Sequence, residues 1–351
     1  MAELIENHLK SDSRRILLVD GARQVGKTFI IRHVGKKLFR NFVEVNMLED
    51  SIGNRIFEKV NTVDDFYLRI GMIAGDKLGK KGNTLIFLDE IQTYPHFLTI
   101  LKFLADDNRF TYIASGSLLG VTLSQTTSIP MGSIRKVRMF QLDFEEFLYA
   151  CGMNEYAVAS LQKKFEARES LDESLHGKMM DFFRRYLLIG GMPAAVNAYL
   201  ETKNIHAVRE IQHEIHEYYA ADASKYDTER KLKVRRIYDL IPSNLENKKK
   251  RVIVKQIEET KGSVFSRYID EFDYLTSAGV ALGVQAIPTP VFPLIESSGK
   301  DYSVHSALNN FVTNDDYHVK NAFVLSNRRE IRTKGEITYL PVYNVMFFKK
   351  N

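Results

Sequence analysis

The sequence contains a single cysteine, Cys151, among its 351 residues. A lone cysteine cannot form an internal disulfide, and the chain around it lacks the Cys/His spacing of a metal site, which predicts an idle or buried thiol in a reducing compartment. No repeats or low-complexity tracts are present. The first residues contain no long apolar run after a basic cluster, so we expect neither a signal peptide nor a membrane anchor, and a cytoplasmic location.

The sequence also lacks a large excess of positive or negative charge. The chain has 49 basic and 44 acidic residues, a formal net charge of +5, which permits an anionic partner such as nucleic acid without requiring one. Hydrophobic residues make up 44% and charged residues 26% of the sequence, as in ordinary globular proteins and unlike fibrous, disordered or membrane-spanning chains. The length suffices for two or three domains.

Short apolar runs alternate with helical patterns in the first part of the chain. Residues 15–20 read as a strand, a glycine-containing loop and a helix follow, and further strands are predicted at 42–47, 84–90 and 110–115. This alternation predicts an α/β domain with a parallel sheet that helices cover on both faces.

The loop after the first predicted strand has the pattern G-x-x-x-x-G-K-[ST]. Its residues are Gly21, Ala22, Arg23, Gln24, Val25, Gly26, Lys27 and Thr28. The glycines allow backbone amides to surround phosphate oxygens, and the following helix adds its positive end. We expect Lys27 to reach the β- and γ-phosphates of ATP and Thr28 to offer its hydroxyl to Mg²⁺. The alternative is a glycine turn before a core helix.

Two carboxylates, Asp89 and Glu90, follow the apolar strand predicted at 84–90. In a parallel sheet this places them at the carboxyl edge, beside the phosphate loop. We expect Asp89 to hold the Mg²⁺ ion and Glu90 to orient or deprotonate the attacking water. Ser115 follows the next strand and is a weaker candidate for contact with the γ-phosphate, because a Ser-Gly pair after a strand is often only a turn.

Five motifs together resemble the AAA-type ATPase family of bacteria and archaea that carries an uncharacterised C-terminal domain. They are GARQVGKT, LIFLDEIQ, YIASGSLLG, DFEEFL and GGMPAAV, and the similarity runs from about residue 14 to the end of the chain. The resemblance implies that Lys27 and Thr28 are the Walker A residues, Asp89 and Glu90 the Walker B pair, and Ser115 the polar sensor.

The order of predicted helices and strands, together with the resemblance, divides the chain into four predicted parts. Residues 1–150 form a P-loop, AAA-like α/β domain, residues 151–230 a helical lid or linker, residues 231–290 a winged-helix-like domain, and residues 291–351 a short α+β remnant. The order helix, loop, helix, Gly-Ser break, helix and strand suggests the winged helix.

The resemblance also implies a nuclease-like region near the C-terminus, and its defining segment is not intact here. In residues 293–300 the expected Glu falls on Ile295 and the expected Lys on Ser297. Our hypothesis is that an internal deletion removed most of this region, so nuclease activity is not expected. An ordinary short C-terminal domain is the alternative.

Three other groups of residues have a functional and a plain interpretation. The basic run at 248–251 fits a DNA phosphate backbone or a solvated loop. His213 and His216 share a helix face but lack an evident third metal ligand. Arg135 and Arg138 fit either arginine fingers for a neighbouring subunit or residues of a solvated strand.

The sequence as a whole predicts a Mg-dependent ATPase whose hydrolysis drives a conformational switch, coupled to DNA or to a protein through the winged-helix-like domain. A module that binds ATP without hydrolysing it and regulates a partner is one alternative. A small-molecule phosphotransferase is another, since phosphate loops also serve kinases. The sequence leaves the oligomeric state open.

Overall fold

The protein forms two compact units. The computed structural model describes residues 1–11, 13–117, 132–223, 231–246, 253–258, 265–283, 322–335 and 337–348. The first unit comprises Met1–Gln141, Tyr219–Leu240 and Val254–Ala281, and the second comprises Leu142–Tyr218, Ile241–Ile253 and Leu282–Asn351.

The described elements alternate between strands and helices in the first part of the chain. The strands are β1 (Ile16–Asp20), β2 (Asn41–Asn46), β3 (Thr84–Asp89), β4 (Thr111–Gly116), β5 (Ile134–Arg138), β6 (Ala322–Ser326), β7 (Arg332–Lys334) and β8 (Ile337–Pro341). The helices before β5 are α1 (Ala2–Lys10), α2 (Lys27–Leu38), α3 (Met47–Ile52), α4 (Val63–Ala74) and α5 (Phe97–Asp107). Those after β5 are α6 (Phe144–Ala150), α7 (Glu155–Glu166), α8 (Glu173–Ile189), α9 (Pro193–Thr202), α10 (Ile205–Ala223), α11 (Lys231–Glu246), α12 (Val254–Ile257) and α13 (Ile269–Ser277).

The first unit is built on a five-stranded parallel sheet with the strand order β2-β3-β4-β1-β5. Every residue of β1 and of β3 is buried, because strands inside a parallel sheet are covered on both faces. The predicted α/β fold with helices on both faces is therefore confirmed, and it is the fold of P-loop NTPases.

Successive residues of a strand point to opposite faces of the sheet. Alternate strand residues therefore pack into two separate hydrophobic cores, one on each face. On one face Leu18, Ile86 and Leu88 lie in a cluster with Phe66 of α4 and Phe97 of α5. On the other face the neighbouring strand residues, Leu17, Val19, Leu85, Phe87 and Ile113, lie in a cluster with Ile5 of α1 and with Ile31 and Val34 of α2.

The strand β5 contains Arg135 and Arg138, for which a solvated strand is one of the two interpretations of the sequence. Its sequence, Ile-Arg-Lys-Val-Arg, is rich in charge, and it is an edge strand that pairs only with β1 in the described sheet. Edge strands commonly carry such charged side chains. Lys136 of β5 lies 3.0 Å from the buried carboxylate of Asp20, the last residue of β1.

The second unit has its own core, formed mainly by helices α6 to α9. Phe144, Phe147, Met180 and Ile189 lie in this cluster with Tyr343 from the C-terminal part of the chain. The strands β6 and β8 pair in parallel, and β7 pairs with β8 antiparallel. Cys151 is half-buried against this core, and burial raises the pKa of its thiol.

The described residues cover only part of the C-terminal half, so only some of its predicted elements can be compared with the structure. The predicted helices of the region 231–290 correspond to α11, α12 and α13. The predicted order places a strand after the last helix, but the described residues 280–283 are irregular. Residues 293–300 lie outside the described residues. The four-part division and the nuclease-like remnant stay predictions. In the described part of the chain, every helix is too short or too polar to cross a bilayer.

Candidate functional site

The carboxyl edge of the sheet gathers the polar residues that the sequence singles out. Asp20, the last residue of β1, is in register with Gly116 of β4. Asp89, the last residue of β3, is in register with Asn46 of β2. Because all these strands are parallel, their ends and the loops that follow them share one edge.

The phosphate loop connects β1 to α2 at this edge. Gly26 is the N-cap of α2 with φ of 97°, a left-handed conformation that glycine adopts without strain. Lys27 and Thr28 form the start of the helix. The backbone amides of such a helix start have no partners within the helix, and the helix dipole favours an anion there.

Gly21 marks the place where the loop passes closest to the chain after β5. A Cβ atom at this position would lie 2.3 Å from the carbonyl oxygen of Met139. The amide of Met139 also donates a hydrogen bond to the Asp20 carbonyl at 2.7 Å. The first glycine of the motif is thus required by close backbone packing.

Replacing Gly21 with alanine is expected to lower the free energy of unfolding of the first unit by about 1–3 kcal/mol, because an overpacked backbone must shift. Urea denaturation measures the change. Gly71→Ala is the matched control, since a Cβ atom at this α4 position meets nothing within 4 Å and alanine favours the helix. Equal stabilities of the two variants would contradict the packing argument.

Lys27 points back into the phosphate loop. Its side chain is 6% exposed, and its Nζ donates hydrogen bonds to the carbonyl oxygens of Gly21 at 2.9 Å and Ala22 at 2.7 Å. Desolvation lowers the pKa of the Lys27 ammonium, and the nearby carboxylates of Glu90 and Asp89 oppose this shift. A buried cation therefore lies inside the loop, held by two neutral carbonyl groups.

Asp89 is the centre of a hydrogen-bonded cluster that joins three elements. Thr28 Oγ1 donates to Asp89 Oδ2 at 2.8 Å, and Ser115 Oγ donates to Asp89 Oδ1. The backbone amide of Glu90 also donates to Oδ1, at 3.0 Å. The structure thus brings together the two predicted metal-binding residues, Thr28 and Asp89, and the predicted sensor, Ser115.

Glu90 has a second set of partners. Its backbone is left-handed, with φ of 53°, an uncommon conformation for a residue other than glycine. Gln92 Nε2 donates a hydrogen bond to Glu90 Oε2, and Ser117 Oγ donates to the same oxygen at 3.4 Å. Arg23 Nε of the phosphate loop donates to Ser117 Oγ, also at 3.4 Å.

Sequence reasoning did not assign roles to Ser117 or Gln92, although both stand within the quoted motifs. Ser115 is fully buried and donates to Asp89, whereas Ser117, two residues later, lies beside Glu90. Ser115 belongs to β4 and Ser117 follows directly after the last strand residue, Gly116, so the pattern Ser-Gly-Ser offers two hydroxyls at this edge. The signal for Gln92 was its position two residues after Glu90.

The other singled-out residues lie apart from this cluster. Arg138 Nη2 donates to the carbonyl of Thr276, at 2.9 Å, at the end of α13. A Cβ atom on Gly279, where φ is 75°, would lie 2.9 Å from Arg138 Nη2 and 3.4 Å from the amide nitrogen of Ala22. The end of α13 therefore approaches the start of the phosphate loop.

The histidine pair and the basic run are not part of the described site. His213 and His216 lie on α10, and within the described ranges there is no group of three or more His, Cys, Asp or Glu side chains able to hold a metal ion. The basic run at 248–251 lies outside the described residues. Arg135 is on the edge strand β5, where it is exposed.

Comparison with known proteins agrees with this geometry. Residues 13–148 match the family model described as an AAA domain, and residues 180–316 match one described as a domain of unknown function (DUF8612). No curated protein matches the chain.

Similar solved structures include a Walker-type ATPase of Pyrococcus abyssi, with 13% identity over 79% of this chain and 88% of that chain and a TM-score of 0.47. Another is the Orc1 protein of Aeropyrum pernix in complex with DNA, with 14% identity over 80% of this chain and 81% of that chain and a TM-score of 0.33. The AAA match covers the sheet, the phosphate loop and the Asp89 cluster, which have the α/β fold of P-loop NTPases.

Proposed function

We propose that the chain binds ATP at the phosphate loop and hydrolyses it to ADP and phosphate. One observation carries the proposal: Lys27, the Thr28 and Asp89 pair, and Glu90 converge at a single edge of the sheet. These groups supply a cation for phosphate, oxygen ligands for a metal and a carboxylate for water, which are the parts that phosphoryl transfer to water requires.

The phosphate loop binds the polyphosphate. Its backbone amides and the positive end of α2 attract the anion. The Nζ atom of Lys27, now bound to the carbonyls of Gly21 and Ala22, exchanges these neutral partners for phosphate oxygens. Phosphate oxygens carry negative charge, whereas the two carbonyl groups are neutral, so the ammonium is attracted more strongly to the phosphate and the exchange favours binding.

The residues at the edge fit a magnesium ion. Thr28 Oγ1 and Asp89 Oδ2 are 2.8 Å apart, and a hydroxyl and a carboxylate are the oxygen ligands that Mg²⁺ prefers. When bound, the ion would neutralise charge on the β- and γ-phosphates. Ser115 and the Glu90 amide hold the carboxylate of Asp89 in orientation, so we assign Ser115 a positioning role through Asp89.

Glu90 is the proposed base for the attacking water. Its carboxylate follows Asp89 directly and has hydrogen bonds from Gln92 and Ser117, which hold it in a defined orientation. A carboxylate so placed orients a water molecule and accepts its proton as the water oxygen bonds to the γ-phosphorus. The bond between the γ-phosphorus and the bridging oxygen breaks, and that oxygen leaves as part of ADP. Loss of the γ-phosphate then changes the contacts of the loop, and the output is a conformational switch.

Removing free Mg²⁺ with EDTA is expected to lower ATP hydrolysis by about a hundredfold or more, because the metal contributes several kcal/mol of charge stabilisation. Phosphate release at fixed ATP concentration measures the effect, and added Mg²⁺ should restore it. A control at matched ionic strength separates metal loss from salt effects. Hydrolysis that persists in EDTA would refute the assignment of Thr28 and Asp89 as metal-binding residues.

Two other functions make different predictions in the same assay. A chain that binds ATP for regulation alone would show nucleotide affinity without phosphate release. A phosphotransferase would form ADP and transfer the γ-phosphate to an added acceptor rather than to water.

Coupling to DNA or to a protein partner through residues 231–290 is a prediction that goes with the proposal. In the described part of this region, Lys233 lies 3.3 Å from the Glu258 carboxylate, and Arg236 donates to the Ile257 carbonyl at 2.8 Å. These two basic side chains therefore already have partners in the same chain, an ion pair for Lys233 and a hydrogen bond for Arg236.

A further inference from the structure

A tyrosine far along the chain contacts the phosphate loop directly. The hydroxyl of Tyr219, near the end of α10, donates a hydrogen bond to the backbone carbonyl of Arg23 at 2.6 Å. The two residues are 196 positions apart and belong to the same compact unit. The contact is short for an O–H···O bond and so well formed.

The carbonyl that Tyr219 holds belongs to the peptide bond between Arg23 and Gln24. In a trans peptide the carbonyl and the amide point in opposite directions. Fixing the Arg23 oxygen therefore fixes the direction of the Gln24 amide, which faces away from Tyr219.

The backbone at Gln24 needs such support. Its φ is 62°, in the left-handed region that side chains other than glycine and asparagine rarely adopt. Residues in this conformation persist when their surroundings hold them there. A left-handed residue within a turn is also what makes successive amides converge into an anion-binding concavity.

We propose that Tyr219 is a positioning residue that holds the phosphate loop in its anion-binding conformation. The inference rests on the proposed function and adds a regulatory element to it. The affinity of the site for ADP and ATP depends on a hydroxyl contributed by α10, about two hundred residues from the loop. Since coupling is reciprocal, bound nucleotide strengthens the Tyr219 contact by the same factor.

The contact joins the phosphate loop to α10. The helix α10 begins at Ile205 in the second unit and ends at Ala223 in the first. Tyr219 is the first residue of this helix that belongs to the first unit.

The variant Tyr219→Phe removes the hydroxyl and keeps the ring. Tyr218→Phe is the matched control, because Tyr218 is the adjacent residue and its own side chain is 60% exposed. Titration of each full-length protein with fluorescent ADP and ATP should show affinities about three- to tenfold weaker for Tyr219→Phe, the range expected for one lost hydrogen bond. The control should match the wild type.

The kinetic constants separate positioning from a general loss of folded protein. Contacts of the loop with the phosphates persist in the transition state, so Tyr219→Phe should raise KM and leave kcat within about twofold. A lower kcat at unchanged KM would indicate fewer active molecules and would overturn the proposal. Affinities equal to those of Tyr218→Phe would overturn it as well.

A second background tests the route through Gln24. Glycine adopts a positive φ without strain, so the loop of a Gln24→Gly protein depends less on the Tyr219 hydroxyl. In that background Tyr219→Phe should cost less than about twofold in affinity, giving a measurable coupling between the two sites. An undiminished loss would overturn the backbone route.

Failure of the proposed function has a different signature. A wild-type protein that binds neither ADP nor ATP would overturn the proposed function and this inference together. A wild type that binds nucleotide and releases phosphate, with Tyr219→Phe indistinguishable from Tyr218→Phe, would overturn this inference alone.

Discussion

Replacing Lys27 with alanine is expected to weaken ATP binding by about ten- to a hundredfold. Hydrogen bonds from a charged donor contribute about 1.5–3 kcal/mol each, and Lys27 is the buried cation inside the phosphate loop. Its charge is already desolvated in the described conformation, so little further desolvation opposes the contact with phosphate. Equilibrium titration with fluorescent ATP measures the change.

The control for this variant lies on the same helix. Lys36→Ala removes an exposed lysine from the last turn of α2 and alters the net charge equally, so it should bind ATP as the wild type does. Thermal unfolding without nucleotide checks that the Lys27 variant is folded. If Lys27→Ala binds ATP with unchanged affinity, the phosphate loop is not the nucleotide site and the proposed function is wrong.

A change of Glu90 to glutamine is expected to slow hydrolysis by about 10²- to 10⁴-fold while ATP affinity stays near that of the wild type. General bases contribute rate factors of this size, and the amide that replaces the carboxylate cannot accept the proton of the attacking water. The amide oxygen can still accept the hydrogen bonds from Gln92 and Ser117. Single-turnover phosphate release, measured beside the affinity, separates the two steps.

Glu3→Gln serves as the comparison for Glu90→Gln, because Glu3 is an exposed residue of α1 and the charge change is identical. Its hydrolysis rate should equal that of the wild type. Hydrolysis by Glu90→Gln at the wild-type rate would remove Glu90 from the mechanism. A wild type that binds ATP and releases no phosphate would instead favour the regulatory ATP-binding module.

The sheet could be predicted from the sequence where strands are continuous apolar runs. The strands β1 and β3 are buried along their whole length, so their sequences consist almost entirely of apolar residues and the prediction follows directly. For β5, a solvated strand is only one of two interpretations of the sequence, because an edge strand pairs on one side and tolerates charge on the other. Its arginines and lysine hide the pattern that a buried strand would show.

The sequence motifs predict which residues of the site lie near one another. They do not predict which of these residues form hydrogen bonds with each other. The convergence of Thr28, Asp89 and Ser115 follows from parallel strands that end at one edge. Which of two serines turns to Asp89 and which to Glu90 depends on register and side-chain rotation. Those depend on packing, which local sequence does not encode.

The contact of Tyr219 with Arg23 could not be read from the sequence for a different reason. Nothing near Tyr219 in the chain marks it as part of a nucleotide site, and the pairing joins residues 196 positions apart. Local periodicity predicts that α10 is a helix, but it does not say what the end of that helix touches.

The approach of α13 to the phosphate loop bears on where the first folding unit ends. Arg138 donates a hydrogen bond to the Thr276 carbonyl, and Gly279 lies close to Ala22. Residues near 280 therefore pack around a loop that begins at residue 21. A fragment cut at residue 148, where the family similarity stops, would leave Arg138 without this acceptor and expose the amino end of the loop to solvent. The compact unit that contains the phosphate loop is therefore discontinuous in sequence.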